Sequence, residues 1–148
     1  AGELRTIVSA IRVVFELARM GDLAAHVAKI ARLRFPDSAV PDSLRENFSR
    51  MSEVCLAMIR LANQSLKDRD AVAALRMAEI DHEMDHLRRD HFGVLLGENW
   101  SGSVEQAIDV ALLGRYFERF ADHAVAVARR VIYIITGQFP EGEEWPNA

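Results

Sequence analysis

The chain has 148 residues, half of them hydrophobic and about a quarter charged, which suffices to bury one sizeable core. Its 18 Lys and Arg residues against 22 Asp and Glu leave a net charge of -4, so no overall basic field would attract nucleic acid or anionic lipid. The lone Cys55 excludes an internal disulfide framework and fits a reducing compartment, the cytoplasm, and no apolar run reaches the ~20 residues that span a bilayer.

The first predicted element is an amphipathic helix from Glu3 to about Leu33. Apolar residues recur along it at steps of three and four, the period of a helix that buries one face. The helix is predicted to end at the segment 35–41, where two prolines remove backbone donors and restrict the residues before them. The apolar positions are Leu4, Ile7, Val8, Ile11, Val14, Phe15 and Ala18.

A second helix is predicted to begin at Ser43. Ser43 and Glu46 have the spacing of a capping box, in which each side chain satisfies a free backbone N–H of the first turn. We interpret Cys55 as a core residue, because it lies on the apolar stripe of this helix and no histidine is near it in the sequence. The predicted stripe is Leu44, Phe48, Met51, Cys55, Met58 and Ala62.

Two further helices complete the chain. Asp70 is the predicted N-cap of the third helix, which should end near Gly97 and bury Met77, Ile80, Met84 and Leu87. Ser103 and Gln106 repeat the capping-box pattern for a fourth helix that runs to Thr136, with Gly137 as a left-handed C-cap. The period-two alternation of a half-buried strand is not found, so an all-α fold is predicted.

The first and last helices resemble each other when shifted by 100 residues. An arginine and an aspartate match at positions 19 and 22 against 119 and 122, and a helical core period does not require these polar matches. The further matches are Ala24 with Ala124, Val27 with Val127, Ala28 with Ala128 and Lys29 with Arg129. If the repeat unit is three helices, the chain holds one complete unit and the last helix of an earlier unit.

Two pairs of carboxylates form the main candidate site. Glu118 and Asp122 are four residues apart and share one helix face, and Asp81 and Asp85 repeat the spacing on the preceding helix. Consecutive helices of a bundle are antiparallel neighbours, so the pairs could face each other and share a hard cation, which prefers carboxylate oxygens. The alternative is a solvated acidic face balanced by neighbouring arginines.

The segment 82–86 offers a competing interpretation as a zinc site. His82, Glu83 and His86 satisfy the H-E-x-x-H pattern of zinc peptidases, in which two histidines bind zinc and the glutamate activates water. Arg89 stands where the extended form of that motif has glycine, which argues against it. Glu79-x-x-His82 has the ligand spacing of di-iron bundles, but those bundles need such a motif on each of two helices.

Three segments resemble the PhoU family of phosphate-signalling regulators. The run LGRYFERFADHAVAVA at 113–128 resembles the signature helix of that family. The run FELARMGD at 15–22 is similar to the equivalent helix of the other repeat, and DHEMDHL at 81–87 to the family's middle helix. The resemblance implies two three-helix bundles in tandem, with residues 1–40 the last helix of the first PhoU repeat and 41–148 the second, and two helices before Ala1.

The resemblance also implies a function. PhoU proteins are not enzymes: they are cytoplasmic negative regulators of phosphate uptake and of the phosphate-starvation response. They couple the ATPase subunit of a phosphate ABC transporter to a sensor histidine kinase, and commonly form homodimers. With no nucleic acid as partner, such a protein meets the membrane only through its partners. A zinc metalloenzyme using His82, Glu83 and His86, and a purely structural helical adaptor, are the alternatives.

The family resemblance further implies a metal ion, with iron favoured, held by an acidic residue followed four positions later by aspartate. That motif falls on Glu118 with Asp122 and on Asp81 with Asp85. In the first repeat Asp22 remains, but alanine occupies position 18 where the acid is expected, so that copy is incomplete. Without two preceding helices, the first helix would also expose apolar surface that another chain, a domain swap or the remaining bundle must cover.

Overall fold

The computed structural model describes residues 2–98 and 100–140, and in these ranges the chain is all α-helical with no strand. The all-α prediction is therefore confirmed. A single 3₁₀ turn, Asp42–Leu44, precedes the second helix. No described helix is both long and apolar enough to cross a membrane. The helices are α1 (Gly2–Arg34), α2 (Arg45–Asp68), α3 (Ala71–Leu95) and α4 (Val104–Thr136).

Three of the predicted helix caps are present. The Asp70 side chain accepts hydrogen bonds from two backbone N–H groups in the first turn of α3, at 2.9 and 3.1 Å. Ser103 and Gln106 form the reciprocal capping box of α4, with both hydrogen bonds at 3.1 Å. Gly137 ends α4 with φ 78°, the left-handed conformation that glycine adopts without steric cost.

The predicted start of α2 was wrong. Ser43 does not cap a helix, because it lies inside the 3₁₀ turn, and α2 begins at Arg45 without a side-chain cap. The backbone N–H of Leu44 donates to the carbonyl oxygen of Pro41 at 3.0 Å, which closes the tight turn. Leu44 is almost fully buried, so packing of this side chain holds the turn where capping alone would have favoured an earlier helix.

The core lies where α4 packs against α2 and α3. The whole predicted stripe of α2 is buried, and on α3 Met77 and Met84 are buried while Ile80 and Leu87 are partly buried. Burial raises the pKa of the Cys55 thiol to about 12, so it stays protonated at neutral pH, as expected of a core residue. Unbranched methionines fill much of this space, namely Met51, Met58, Met77 and Met84.

Helix α1 packs mainly along α4. The two are antiparallel, since contacts join the start of one to the end of the other. At one end Asp109, which is nearly inaccessible to solvent, accepts two hydrogen bonds from Arg34, at 2.5 and 3.1 Å. The contacts along the remaining length include Glu16 with His123 and Arg5 with the carbonyl oxygen of Ile134.

The apolar stripe predicted for α1 is exposed, so of the three covers considered for it, the described bundle is not the one that buries it. Helix α1 instead buries Ser9, Val13 and Met20. The main packing partner of α1 is α4, and no described element covers the opposite side of α1. We call this surface the uncovered α1 face, and its large members, each 47–66% exposed, are Leu4, Ile7, Val8, Ile11, Val14 and Phe15.

Candidate metal centre

Helix α4 places Glu118 and Asp122 one turn apart, as the four-residue spacing predicts. The two side chains differ in environment, since that of Glu118 is 14% exposed and that of Asp122 is 50% exposed. Partial burial, and next the charge of Glu118, raise the pKa of Asp122 above its ordinary value. The carboxylates therefore repel each other, as expected of a pair without a cation between them.

Helix α3 brings Asp81 and Asp85 to the same region. Burial raises the pKa of Asp81 to about 6, and the charges of Asp85 and Asp122 contribute further in the same direction. The charge of Asp81 thus interacts with Asp85 of its own helix and with Asp122 of α4. We refer to Asp81, Asp85, Glu118 and Asp122 as the carboxylate row.

A cleft of about 330 Å³ opens beside the carboxylate row. Glu16 of α1, Asp81 of α3 and Asp122 of α4 all line it, so three helices meet at one opening. Nδ1 of His123 lies 2.6 Å from a carboxylate oxygen of Glu16 and fixes that side chain at the rim. Two arginines of α4, Arg129 and Arg130, also line the cleft.

Glu118 is balanced by arginines in this structure. Arg115 of its own helix lies 2.6 Å from one carboxylate oxygen, and Arg88 of α3 lies 3.2 Å from the other. Asp122 pairs more loosely with Arg119, at 3.6 Å. Neighbouring arginines therefore balance the charge of Glu118, as the alternative of a solvated acidic face predicts. The Asp81 and Asp122 carboxylates, in contrast, keep unfavourable like-charge neighbours.

The carboxylate row is not assembled into a coordination sphere. Among residues 2–98 and 100–140, no three side chains of the metal-binding types are close enough together to hold an ion. Binding of a metal ion would therefore require side chains of the row to rotate. Glu118 would also have to give up an ion pair with Arg88 or Arg115. The donor types fit a hard cation, since all four members of the row are carboxylates.

Asp22, the remaining predicted ligand, lies apart from the row. It is exposed on α1 and pairs with Arg19 at 3.5 Å, and it is not among the residues lining the cleft. The equivalent pair on α4, Arg119 and Asp122, has nearly the same separation. The internal repeat thus reproduces the local arginine–aspartate pair on both helices, but only α4 has α3 beside it to supply further carboxylates.

The geometry of segment 82–86 does not favour a zinc hydrolase. His82 and His86 are exposed on α3, and Nδ1 of His86 lies 3.0 Å from the guanidinium of Arg89. Glu83, which would have to activate water, is held by Arg50 of α2 at 2.5 Å. Within the described ranges no third ligand completes a group with these histidines.

Sequence reasoning missed the part that α1 plays in the site. Glu16 reaches the cleft only because α1 runs antiparallel to α4, and its partner His123 is 107 residues away. Spacing within one helix carries no information on such a contact. Arg88 of α3 was likewise not foreseen as a partner of Glu118, whereas Arg115 of the same helix was expected to balance this acidic face.

Comparisons with known proteins agree with one another. The family model described as PhoU domain matches residues 48–131. The chain is 46% identical over 148 residues to the phosphate-specific transport system accessory protein PhoU homolog 1 of Mycobacterium leprae, covering 100% of this chain and 67% of that protein. It is 48% identical over 140 residues to PhoU homolog 2 of Mycobacterium tuberculosis, covering 95% and 66% respectively.

A solved structure is similar in fold. The crystal structure of the phosphate transport system regulatory protein PhoU from Streptococcus pneumoniae matches with a TM-score of 0.83. It covers 96% of this chain and 67% of that chain, at 21% sequence identity. The chain thus spans about two thirds of the length of the proteins it matches.

Proposed function

The chain belongs to the PhoU family, and from this premise we propose that it is a regulatory, non-catalytic component of phosphate transport. In this role it is a cytoplasmic negative regulator of phosphate uptake and of the phosphate-starvation response. It docks on the ATPase subunit of a phosphate ABC transporter and passes the state of that transporter to a sensor histidine kinase. The names of relatives at 46% and 48% identity support the transport role.

The uncovered α1 face supports the protein-binding part of this proposal. It presents six large apolar side chains on one helix, more than isolated exposed residues on a surface would explain. A partner, a second copy in a homodimer or a further helical segment would bury them. The function is thus one of recognition between helical surfaces.

The proposed function includes a metal ion in the carboxylate row. The meeting of Asp81 and Asp122 at one cleft carries this proposal, and the pKa of each carboxyl is raised, first by burial and then by neighbouring carboxylates. A hard cation would reverse the sign of these interactions, and iron is favoured by family resemblance. Entry of the ion would release Arg88 and Arg115 from Glu118, which changes the charge of the surface around the site.

Metal analysis of the purified protein tests the site. We expect iron or manganese to accompany the parent and to be absent from the Asp81→Asn/Asp122→Asn variant, because the central carboxylates of the row are then neutral. Asp90→Asn, an exposed change on the same helix, is the matched control and should keep the metal. Circular dichroism checks that all three proteins remain helical.

One result would reverse the assignment. If zinc remains bound to the Asp81→Asn/Asp122→Asn variant and leaves only after His82→Ala or His86→Ala, the metal centre is the histidine pair and a zinc enzyme must be reconsidered. Asp22→Asn separately tests the fifth predicted ligand. Because Asp22 lies outside the cleft, we expect this substitution to leave the metal content unchanged.

Deletion of the gene that encodes the chain tests the regulatory role independently of the metal. We expect phosphate-starvation genes to be expressed even when phosphate is abundant, because a negative regulator is missing. Expression that stays repressed in the deletion strain would contradict negative regulation. Restoring the gene with Asp81→Asn/Asp122→Asn then shows whether the metal is needed for signalling.

A further inference from the structure

His91 is a fully buried histidine where α2, α3 and α4 meet, unlike the exposed His82 and His86 of the same helix. Its relative exposure is 0%, and its ring packs against Phe48 of α2 and Phe92 of α3, with ring centroids 5.4 and 4.6 Å away. On α4 it meets Gly114. A buried histidine is uncommon unless its polar atoms are satisfied or it has a specific role.

Only one nitrogen of the His91 ring has a partner. Nδ1 lies 3.3 Å from the carbonyl oxygen of Leu87, which also accepts a hydrogen bond from the amide of Asn47 at 2.9 Å. Since a carbonyl only accepts, Nδ1 carries the proton and Nε2 is the bare nitrogen of a neutral ring. Nε2 is buried and has no hydrogen-bond partner among the residues that the structure describes.

The backbone of α4 leaves no room for the ring to turn. A Cβ on Gly114 would lie 2.3 Å from both Cε1 and Nε2 of His91, so the unpartnered nitrogen is pressed against the helix at the position where α4 lacks a side chain. A proton on Nε2 would create a buried N–H donor without an acceptor. Water could reach this donor only if α3 separated from α4.

The charges around His91 do not stabilise its protonated form enough to offset burial. Burial is the largest effect and lowers the pKa of His91, and Arg88 of its own helix lowers it further. Glu118 of α4 and the Leu87 carbonyl act in the opposite direction but are outweighed. From α2 the ring meets Phe48 and the neighbouring Asn47, neither of which is titratable.

We propose that His91 and Gly114 form an acid-sensitive latch, in which the neutral imidazole holds the C-terminal half of α3 against α4 and protonation opens that contact. Opening exposes the ring to water and allows it to bind a proton on Nε2. Because Arg88 precedes His91 by less than one turn and bridges to Glu118, the opened state also loosens one end of the carboxylate row. The latch operates whether or not a metal binds there.

Hydrogen exchange tests the latch in the full chain. We compare amide exchange of residues 87–95 at pH 7.5 and 5.5, after correction for intrinsic rates. If the open state has an ordinary histidine pKa of about 6.5 and the closed state excludes the proton, the opening constant should rise about tenfold over this interval. His86→Gln, an exposed change on the same helix, should keep that tenfold rise, and His91→Gln should abolish it.

Two outcomes would overturn the latch. One is a change below about twofold in the parent, and the other is a His91→Gln variant that retains the full pH effect. If His91→Gln does not fold, the imidazole resonances of the parent decide the matter. The His91 signal should not titrate between pH 8 and 5.5, and a His91 signal that titrates with an ordinary midpoint contradicts the proposal.

Discussion

Replacing Gly114 with alanine should destabilise the fold by about 2 kcal/mol, although alanine is the better helix former. The added Cβ would lie 2.3 Å from two ring atoms of His91, a separation that folded proteins do not tolerate. The ring is fully buried between Phe48 and Phe92, so it cannot rotate away without displacing them. Urea unfolding at pH 7.5 measures the change in the free energy of unfolding.

Gly93→Ala provides the matched control for Gly114→Ala. Gly93 also lies inside a helix, but a Cβ there meets nothing within 4 Å. We therefore expect a stabilisation of about 1 kcal/mol from the lower backbone entropy of the unfolded chain. Equal effects of the two substitutions would show that the His91 ring is loosely held, and the cost of Gly114→Ala should shrink in a His91→Ala background.

Local features of the fold could be read from the sequence, because they depend on residues within one helical turn. Asp70, the Ser103–Gln106 pair and Gly137 cap their helices as predicted, since each satisfies backbone groups two to four positions away. The start of α2 failed for a tertiary reason, namely that burial of Leu44 outweighs the capping potential of Ser43. Propensity is a weak prior where packing opposes it.

The candidate site was predictable in part. The four members of the carboxylate row follow from four-residue spacing on two consecutive helices, and Asp81 of α3 and Asp122 of α4 line the same cleft. Glu16 and His91 were not predictable, because their partners His123 and Gly114 belong to other helices. Such contacts depend on the rotation of each helix about its axis, which periodicity fixes only approximately.

The exposed side of α1 shows a further limit of pattern reading. Apolar spacing identifies a face that favours burial, but it does not identify the element that covers it. Helices α1 and α4 share a sequence pattern, yet Ala124 and Ala128 are buried while Ala24 and Ala28 are exposed. The difference arises because α4 packs against α1, α2 and α3, whereas the main packing partner of α1 is α4.

Asp81→Asn should stabilise the metal-free protein at pH 7.5 while removing its metal site. In the folded chain burial, reinforced by Asp85 and Asp122, raises the pKa of Asp81 to about 6, whereas in the unfolded chain it is about 3.9. At pH 7.5 the ionised Asp81 carboxylate is therefore less stable in the folded chain than in the unfolded chain, which lowers the free energy of unfolding. The full difference of about two units corresponds to ~3 kcal/mol, and solvent screening of this partly exposed group reduces the expected gain to about 1 kcal/mol.

The difference in the free energy of unfolding between the parent and Asp81→Asn should depend on pH. Below about pH 4 Asp81 is protonated in both states, so parent and variant should differ little in the free energy of unfolding. Between about pH 4 and 6 the unfolded chain has lost the Asp81 proton while the folded parent still holds it, so the parent loses stability over this interval and the gap to Asp81→Asn is complete above about pH 6. Urea unfolding in EDTA across pH 4 to 8 measures this, with Asp90→Asn as a control that should show no such gap.

Added iron or manganese should then stabilise the parent and leave Asp81→Asn unchanged, because the cation offsets a charge that only the parent carries. A gap already present at pH 4, or equal stabilisation of both proteins by metal, would mean that Asp81 does not belong to the metal centre.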